Sequence, residues 1–357
     1  MKKLYSYSLV IFLFLTFYSE YSHSVLRSDG PWVTYYDNGQ VKSRGNVKNR
    51  ELDGLWEWYH SNGSILGKVH FIKGKREGVS WEYFSDGILK QKIIYKDDKP
   101  HGTAVNFHKN GSVEWRGNFI NGEKSGLFER FYKNGNLSEK YSLKNGKPEG
   151  IYTKFYETGI PYTRTNYKNG FQDGLIEGFY EEGDLMVRGY IKNKGNKRSI
   201  EGPLEFYYGG GKLEWAGNMK NDKKEGIWKN YDDINGQILY KVNYRKGKLT
   251  GPFEAFHDNG KVFLKGSYNK KGQPEGLFEF FYESGQLEYR GNFKKDKPVG
   301  IWEWLTKEGD IEYKGKYKKG TFLLEDEQGQ YKDIGSFLVE NKLLPPEIQN
   351  ILNKLKR

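Results

Sequence analysis

The sequence predicts an all-β protein, an elongated single-layer antiparallel sheet of β-hairpins that repeats along the chain as a β-hairpin solenoid. Three observations predict it. The chain of 357 residues contains 45 glycines and is 17% aromatic, a composition that favours strands and turns over helices. Glycines recur with a period of 24 residues. Asn-Gly or Asp-Gly pairs flanked by apolar residues follow many of them, and such pairs predict tight hairpin turns.

The period defines about twelve repeats of 24 residues, and we number each repeat from its first glycine as position 0. These opening glycines are Gly30, Gly54, Gly78, Gly102, Gly126, Gly150, Gly174, Gly202, Gly226, Gly251, Gly276 and Gly300. A second glycine follows at +9 in nearly every repeat. Strands on either side of this second glycine would form one hairpin per repeat, and hairpins that are marginal alone would gain stability by packing on their neighbours.

A two-residue turn at +8 and +9 predicts that facing positions sum to 17. Position +14 is Lys or Arg in eleven repeats, and its facing position, +3, is often Glu, as in Glu57 opposite Lys68. Opposite charges that face each other across a strand pair stabilise it, by roughly 0.2 to 1 kcal/mol. The charges therefore support the predicted pairing.

Alternate residues of a strand share a face, so the pairing also predicts two different faces. Positions +2, +4, +6, +11, +13 and +15 form an apolar face, with aromatic residues often at +2 opposite glycines at +15. At +6, Tyr or His faces an aliphatic residue at +11, and His60, His108 and His257 would replace tyrosine as rings. We call this the aromatic face and the side with +3 and +14 the charged face.

Several segments resemble the bacterial variant of the MORN repeat, found in arrays that are described as antitoxin components. The resemblance rests on Tyr167-Lys168-Asn169-Gly170 and on Gly126-Leu127-Phe128 followed by Phe131-Tyr132-Lys133-Asn134-Gly135-Asn136-Leu137, and the pattern extends over about 30–320. The sequence departs from the commoner pattern because the glycine two residues after each opening glycine is replaced. The resemblance implies a single-layered sheet of hairpins used for scaffolding, dimerisation or membrane association, with no catalytic residue.

The two ends are predicted to differ from the repeat array at 25–320. Residues 1–24 have the layout of a signal peptide, with Lys2 and Lys3 before an apolar run and a possible cleavage before Val25. An uncleaved anchor is the alternative. We expect an exported protein in the periplasm, outside the cell or on the cell envelope. Residues 321–357 are predicted as a C-terminal cap whose amphipathic helix starts near Pro345; a partner-binding helix is the alternative.

No motif for catalysis, metal binding or a cofactor occurs in the sequence. Cysteine is absent, which excludes a thiol nucleophile and a cysteine-ligated metal. There is no Gly-x-Ser-x-Gly elbow, no phosphate-binding loop and no pair of histidines at zinc spacing. We therefore expect a non-enzymatic protein without cofactor, catalytic or metal-ligating residues.

The favoured function is a scaffold that binds another protein, or a second copy of itself, through the aromatic face. A long apolar face is too large to remain exposed to water. The rings expected to bind are Trp32, Trp56, Trp58, Trp115, Trp215, Trp228, Trp302 and Trp304.

The first alternative is a protein that binds anionic lipid or glycan at the cell envelope. The net charge is +12, and some cations at +14 do not face a Glu within their own hairpin. These cations are Arg44, Lys92, Arg116, Arg164 and Lys241. A second alternative, which follows from the resemblance, is an antitoxin-like protein that neutralises a toxin. Nucleic acid is not expected as a partner, because acidic residues are interspersed with the basic ones along the whole chain.

Overall fold

The computed structural model describes residues 28–195, 197–318 and 321–333. They divide into an N-terminal unit, which includes 28–162 and 166–171, and a C-terminal unit, which includes 163–165 and the described residues from 172 onward. Both units consist of antiparallel strands, and no helix occurs in these ranges. This confirms the all-β class and the hairpin architecture. The predicted signal peptide and the helix near Pro345 lie outside the described residues.

Thirteen strands precede residue 169, and β13 lies where the two units divide. They are β1 (Gly30–Tyr35), β2 (Val41–Lys48), β3 (Glu51–Tyr59), β4 (Ile65–Ile72), β5 (Lys75–Arg76), β6 (Gly78–Tyr83), β7 (Leu89–Lys96), β8 (Lys99–Phe107), β9 (Val113–Ile120), β10 (Glu123–Phe131), β11 (Leu137–Lys144), β12 (Lys147–Phe155) and β13 (Pro161–Lys168).

The C-terminal unit contains the remaining strands. They are β14 (Phe171–Phe179), β15 (Leu185–Lys194), β16 (Lys197–Ile200), β17 (Gly202–Tyr207), β18 (Leu213–Lys220), β19 (Lys223–Tyr231), β20 (Ile238–Arg245), β21 (Lys248–Phe256), β22 (Val262–Tyr268), β23 (Gly276–Phe281), β24 (Leu287–Lys294), β25 (Lys297–Leu305), β26 (Ile311–Lys318), β27 (Thr321–Glu325) and β28 (Tyr331–Asp333). The hairpin of β27 and β28 extends the strand pattern into the segment predicted as the cap.

The turn inside each hairpin, which we call the hairpin turn, has three residues and not the predicted two, except that the turn between Asp232 and Gln237 has four. In the first repeat Tyr36 N–H donates to Gln40 O at 2.8 Å, and Gly39 N–H donates to Tyr36 O at 2.9 Å. Gly39 has φ = 83°, whereas a two-residue Asn-Gly turn would also require a positive φ at Asn38. This is the hairpin loop in which a type I turn is followed by a left-handed glycine.

An extra residue at +12 restores the predicted register beyond the turn. Tyr35 pairs with Val41, but the next pair is Thr34 with Ser43, so Lys42 is bulged. The pairs at +3/+14 and +2/+15 are therefore confirmed, as in Glu57 with Lys68. The predicted pair of +6 with +11 is wrong.

Because of this bulge, position +11 pairs with +5 and lies on the charged face, not on the aromatic face. Phe256 at +5 pairs with Val262 at +11. The ring at +6 meets +12 instead: His257 and Phe263 lie 5.1 Å apart. The charged face thus carries a row of aromatic and aliphatic pairs beside its ionic residues.

The turns that join successive repeats, which we call linking turns, are tight two-residue turns except between β22 and β23, where Asn269 N–H donates to Gln273 O across three residues. At Asn145-Gly146, φ is 52° and 70°, and the flanking Lys144 and Lys147 pair directly. Positive φ at both residues is the signature of a type I′ turn, and Asn-Gly is its preferred sequence. The sequence predicted this kind of turn inside the repeats, but it lies between them.

Each opening glycine forms a bulge between its own hairpin and the preceding one. Ser125 pairs with Asn118 and Phe128 pairs with Gly117, so Gly126 and Leu127 have no partner on β9. Gly126 has φ = 72°, a conformation that only glycine adopts at low cost. Extra residues bend a strand, which explains why glycine begins each repeat.

Polar side chains in and beside the hairpin turns connect successive repeats. The Tyr or His at +6 contacts the carbonyl oxygen at +5 of the next repeat: Tyr36 Oη donates to Tyr59 O at 2.7 Å, and His108 Nε2 lies 3.1 Å from Phe131 O. The asparagine of the hairpin turn also bonds to a carbonyl oxygen of the next repeat, since Asn38 Nδ2 donates to Ser61 O. The histidines are thus hydrogen-bonding groups and not only ring substitutes.

The buried residues form separate clusters within the two units. The N-terminal unit contains a cluster around Trp56 and another around Phe128. The C-terminal unit contains a continuous cluster that extends from Leu204 to Phe322. Its residues are contributed by successive hairpins, as expected for a protein in which each repeat packs on its neighbours.

We predict that Gly291→Ala destabilises the C-terminal unit by about 1 to 3 kcal/mol, the usual cost of forcing extra atoms into a packed site. A Cβ at this position would lie 2.0 Å from Trp302 Cδ2, so the ring would have to move. The change is measured as the denaturant midpoint of unfolding. Gly209→Ala is the control because its Cβ would meet open space. Equal midpoints for both variants would contradict the close ring-to-glycine packing.

Candidate functional site

The tryptophans predicted to bind a partner lie largely inside the protein. Trp56, Trp228 and Trp302 have no exposed surface, and Trp58 and Trp304 are 9% exposed. The other three, Trp32, Trp115 and Trp215, are half-buried. In this structure most of the aromatic face is therefore covered by the chain itself.

Three kinds of contact cover the rings at +2. The ring lies against the +15 glycine of the preceding repeat, so a Cβ at Gly217 would be 2.2 Å from Trp228 Cδ2. In Trp56 and Trp228 the indole N–H donates to a carbonyl oxygen, from Trp228 to Asn218 at 3.1 Å. A residue just before the opening glycine also reaches the ring: Lys224 Nζ lies 4.6 Å from the Trp228 centroid, and burial lowers the pKa of this lysine.

Five cations at +14 were predicted to have no acidic partner. Four of them form ion pairs with the Glu at +3 of the next repeat. Each +14 strand has a neighbour on both sides, and the sequence prediction considered only one of them. The four ion pairs are Arg44–Glu57, Arg116–Glu129, Arg164–Glu177 and Lys241–Glu254. These cations form part of the structure of the charged face and are already neutralised.

Lys92 is the exception. It pairs across the strands with Trp81 on one side and Val105 on the other, and within 28–195 no carboxylate lies at ion-pair distance from its ammonium. The five cations are thus not brought together as one basic surface.

The best-defined electrostatic cluster on the charged face surrounds Glu57. Its carboxylate accepts from Arg44 Nε at 2.7 Å and from Tyr59 Oη at 2.9 Å, and Lys68 Nζ lies 2.9 Å away. Partial burial alone would raise the pKa of Glu57, but the hydrogen bonds from Lys68, Arg44 and Tyr59 outweigh it and lower the pKa from 4.5 to about 2. This carboxylate is ionised and fully occupied, which suits a structural role.

In six of the twelve repeats, an exposed aliphatic side chain lies on the charged face at position +1, immediately after the opening glycine. Because +1 precedes a buried +2 ring, its side chain points to the opposite side of the sheet. The most exposed members are Leu55, Leu127 and Ile151 in the N-terminal unit and Ile227, Leu277 and Ile301 in the C-terminal unit, each 44 to 62% exposed. We call these residues the aliphatic row.

The sequence prediction missed the aliphatic row although a signal is present. The dipeptides Gly54-Leu55, Gly126-Leu127 and Gly226-Ile227 recur at the start of repeats. An aliphatic residue at one fixed position is expected to be buried. Alternation places +1 on the charged face, but only the structure shows that the side chain is exposed there.

The described residues offer no constellation for metal chemistry or for crossing a membrane as a helix. Between residues 28 and 333, apart from 196, 319 and 320, no three His, Asp or Glu side chains lie close enough to hold a metal ion. Over the same residues no helix has the length and hydropathy of a membrane span.

Six segments of the chain match the family model "MORN repeat variant". They are residues 28–49, 52–73, 124–145, 148–169, 249–270 and 274–295. Together they cover less than half of the chain. Each match starts two residues before an opening glycine and ends in a linking turn, so its boundaries agree with the hairpins. A search of curated proteins found no match.

Solved structures show only weak similarity to this chain. The crystal structure of TcdB2-TccC3-Cdc42 is 11% identical, with 84% of this chain and 17% of that chain covered and a TM-score of 0.18. The structure of TcdB2-TccC3 is 13% identical, with 84% of this chain and 19% of that chain covered and a TM-score of 0.17. The Tc holotoxin pore of Photorhabdus luminescens is 11% identical, with 87% of this chain and 18% of that chain covered and a TM-score of 0.18. The chain spans less than a fifth of these chains.

We predict that Glu57 contributes about 1 to 2 kcal/mol to stability at neutral pH, less than its full pKa shift implies because solvent partly screens the pairs. The folded pKa lies below the unfolded one. The contribution is therefore complete above pH 4.5 and is lost as the pH falls toward 2. The difference in unfolding free energy between wild type and Glu57→Gln should shrink over that range.

Glu157→Gln serves as the control, because Glu157 is exposed and makes no ion pair with any described residue. The difference in unfolding free energy between Glu157→Gln and wild type should stay near zero both above pH 4.5 and as the pH falls toward 2. A Glu57→Gln effect that does not change with pH would contradict the ionic role of Glu57.

Proposed function

We propose that this protein is a non-enzymatic scaffold, an array of about twelve MORN-type repeats that binds protein through the aliphatic row. The observation that carries the proposal is the exposure of an aliphatic residue directly after the opening glycine in six of the twelve repeats. Contiguous exposed apolar surface on a soluble protein marks an interaction site. The six matches to the MORN repeat variant support a repeat scaffold.

This proposal moves the contact surface from the aromatic face to the charged face. Five of the eight tryptophans are buried, so their rings are not free to meet a partner. The aliphatic row instead lies beside polar residues at +16, since Leu277 pairs with Asn292 and Ile227 with Asn243. An apolar centre with polar neighbours is the usual composition of a protein interface.

The partner that we propose first is a second copy of the chain. Consecutive +1 residues are two strands apart, which corresponds to about 10 Å. Two copies carry the same row with the same spacing, so the rows match each other in a two-fold arrangement. Self-association would bury aliphatic groups that are otherwise in water.

Export and toxin neutralisation remain predictions. The signal-peptide pattern at residues 1–24 supports export, and the resemblance to antitoxin-type arrays supports neutralisation of a toxin. Neither is supported by a further observation in the described residues. Catalysis is not proposed, because the carboxylates that might serve it, such as Glu57 and Glu129, are occupied by cations.

We predict that the full chain self-associates and that replacing Ile227, Leu277 and Ile301 together by threonine weakens the association by more than about tenfold. Each replacement removes apolar area worth about 0.5 to 1 kcal/mol at the interface and introduces a side chain that suits a strand. Light scattering over a concentration series measures the dissociation constant.

A matched pair of single variants separates the row from general hydrophobicity. Ile227→Thr lies in the row, and Ile234→Thr changes an 80% exposed isoleucine in a hairpin turn. Only Ile227→Thr should weaken self-association. A chain that is monomeric at all concentrations, or equal effects of the two variants, would refute self-association through this row.

A further inference from the structure

The linking turns of the C-terminal unit carry an unusual concentration of basic side chains. Because the strands form a meander, these turns lie on one edge of the sheet and the hairpin turns lie on the other. We call the first the linking edge. Its cations between β18 and β25 are Lys220, Lys223, Arg245, Lys246, Lys248, Lys270, Lys271, Lys294, Lys295 and Lys297, and all of them are exposed.

The carboxylates near the linking edge are fewer than its cations, and they accept hydrogen bonds from the backbone or from an amide. Asp222 Oδ1 accepts from Ile200 N–H at 2.7 Å, and Glu225 Oε2 accepts from Lys246 N–H at 2.7 Å. Asp296 accepts from Gln273 Nε2 at 3.0 Å. Among the described residues, no carboxylate lies at ion-pair distance from the ten side chains. The linking edge therefore keeps a net positive charge, and its cations are exposed.

The backbone of the linking turns provides a second, independent observation. Lys246 and Lys295 have φ = 53° and 52°, the left-handed region that favours Gly, Asn and Asp. Asn221 occupies the equivalent position in the turn between β18 and β19. Lysine at these positions is less favourable for the turn than asparagine, so the charge is present at a cost to the local structure. Lys73 has the same conformation in a linking turn of the N-terminal unit, so lysine at this position is a recurring feature of the linking turns.

The opposite edge has the opposite charge. The hairpin turns of the C-terminal unit carry exposed acidic residues, with fewer lysines among them. These acidic residues are Glu181, Glu182, Asp233, Asp258, Glu283, Glu308 and Asp310. An anionic partner is therefore attracted to one edge and repelled from the other, which restricts it to the linking edge.

The composition of the linking edge indicates the chemistry of that partner. The four turns contain no aromatic residue for stacking on bases and no aliphatic residue to enter a bilayer. Nine of the ten cations are lysines, which act as point charges and lack the bidentate geometry with which arginine recognises phosphate. Lysine-rich turns about 10 Å apart suit a hydroxylated chain with carboxylate or sulfate groups along its length.

We propose that the linking edge of the C-terminal unit binds an acidic polysaccharide. The cations at +14, which the sequence suggested for anionic ligands, are mostly paired within the sheet, whereas those of the linking edge are not. This binding surface is separate from the aliphatic row, so the proposal does not depend on self-association.

The test uses the full chain and polygalacturonate as the probe, with neutral dextran as the control polymer. The edge variant carries Lys246→Asn, Lys271→Gln and Lys295→Asn. The off-edge variant carries Lys229→Gln, Lys265→Gln and Lys307→Gln, which removes the same charge elsewhere in the C-terminal unit. Asparagine suits the left-handed positions, so the edge variant should melt no lower than wild type.

Wild type should bind polygalacturonate but not dextran, and added salt should weaken the binding. The edge variant should bind at least about tenfold more weakly, since three cationic contacts are lost, and the off-edge variant should stay within about threefold of wild type. Equal losses in both variants would overturn the proposal. So would absence of binding, or stronger binding to phosphatidylserine vesicles or to a single-stranded oligonucleotide than to polygalacturonate.

Discussion

The left-handed glycine that opens each repeat is the constraint on which the rest of the structure depends. Gly126, with φ = 72°, introduces residues that have no partner on the preceding hairpin. The resulting bend places the +2 ring against the preceding repeat and leaves the +1 side chain on the outer side. A residue with a Cβ would resist this conformation. One backbone feature thus determines both the buried aromatic layer and the exposed aliphatic row.

Contacts between neighbouring hairpins provide most of the specific stabilisation. The ring at +2 covers a glycine of the preceding repeat, Glu57 joins Arg44 of one repeat to Lys68 of its own, and Tyr36 bonds to the carbonyl of Tyr59. Each of these contacts connects a residue to the repeat next to it. Stability therefore depends on nearest neighbours, and local variants are expected to act locally.

The sequence was sufficient to predict the strands, the hairpins and the +3/+14 pairing, because a three-residue turn plus one bulged residue produces the same register as the expected two-residue turn. The sequence was not sufficient to predict the partners of +6 and +11, because these positions flank the turn on its side of the bulge at +12. The sequence was also not sufficient to predict that Trp56 and Trp228 are buried. Alternation predicts which face a side chain occupies, but whether that face is covered depends on the bend at the glycine and on the neighbouring repeat.

Hydroxyl-radical footprinting of adjacent residues tests the central claim most directly. The pairs Leu55-Trp56, Ile227-Trp228 and Ile301-Trp302 each join an exposed aliphatic residue to a ring with no exposed surface. At a protein concentration below that at which the chain self-associates, and with rates normalised to the unfolded chain, the tryptophans should be strongly protected and the aliphatic residues only weakly protected. Tryptophans oxidised nearly as fast as in the unfolded chain, beside protected leucine and isoleucine, would contradict the account.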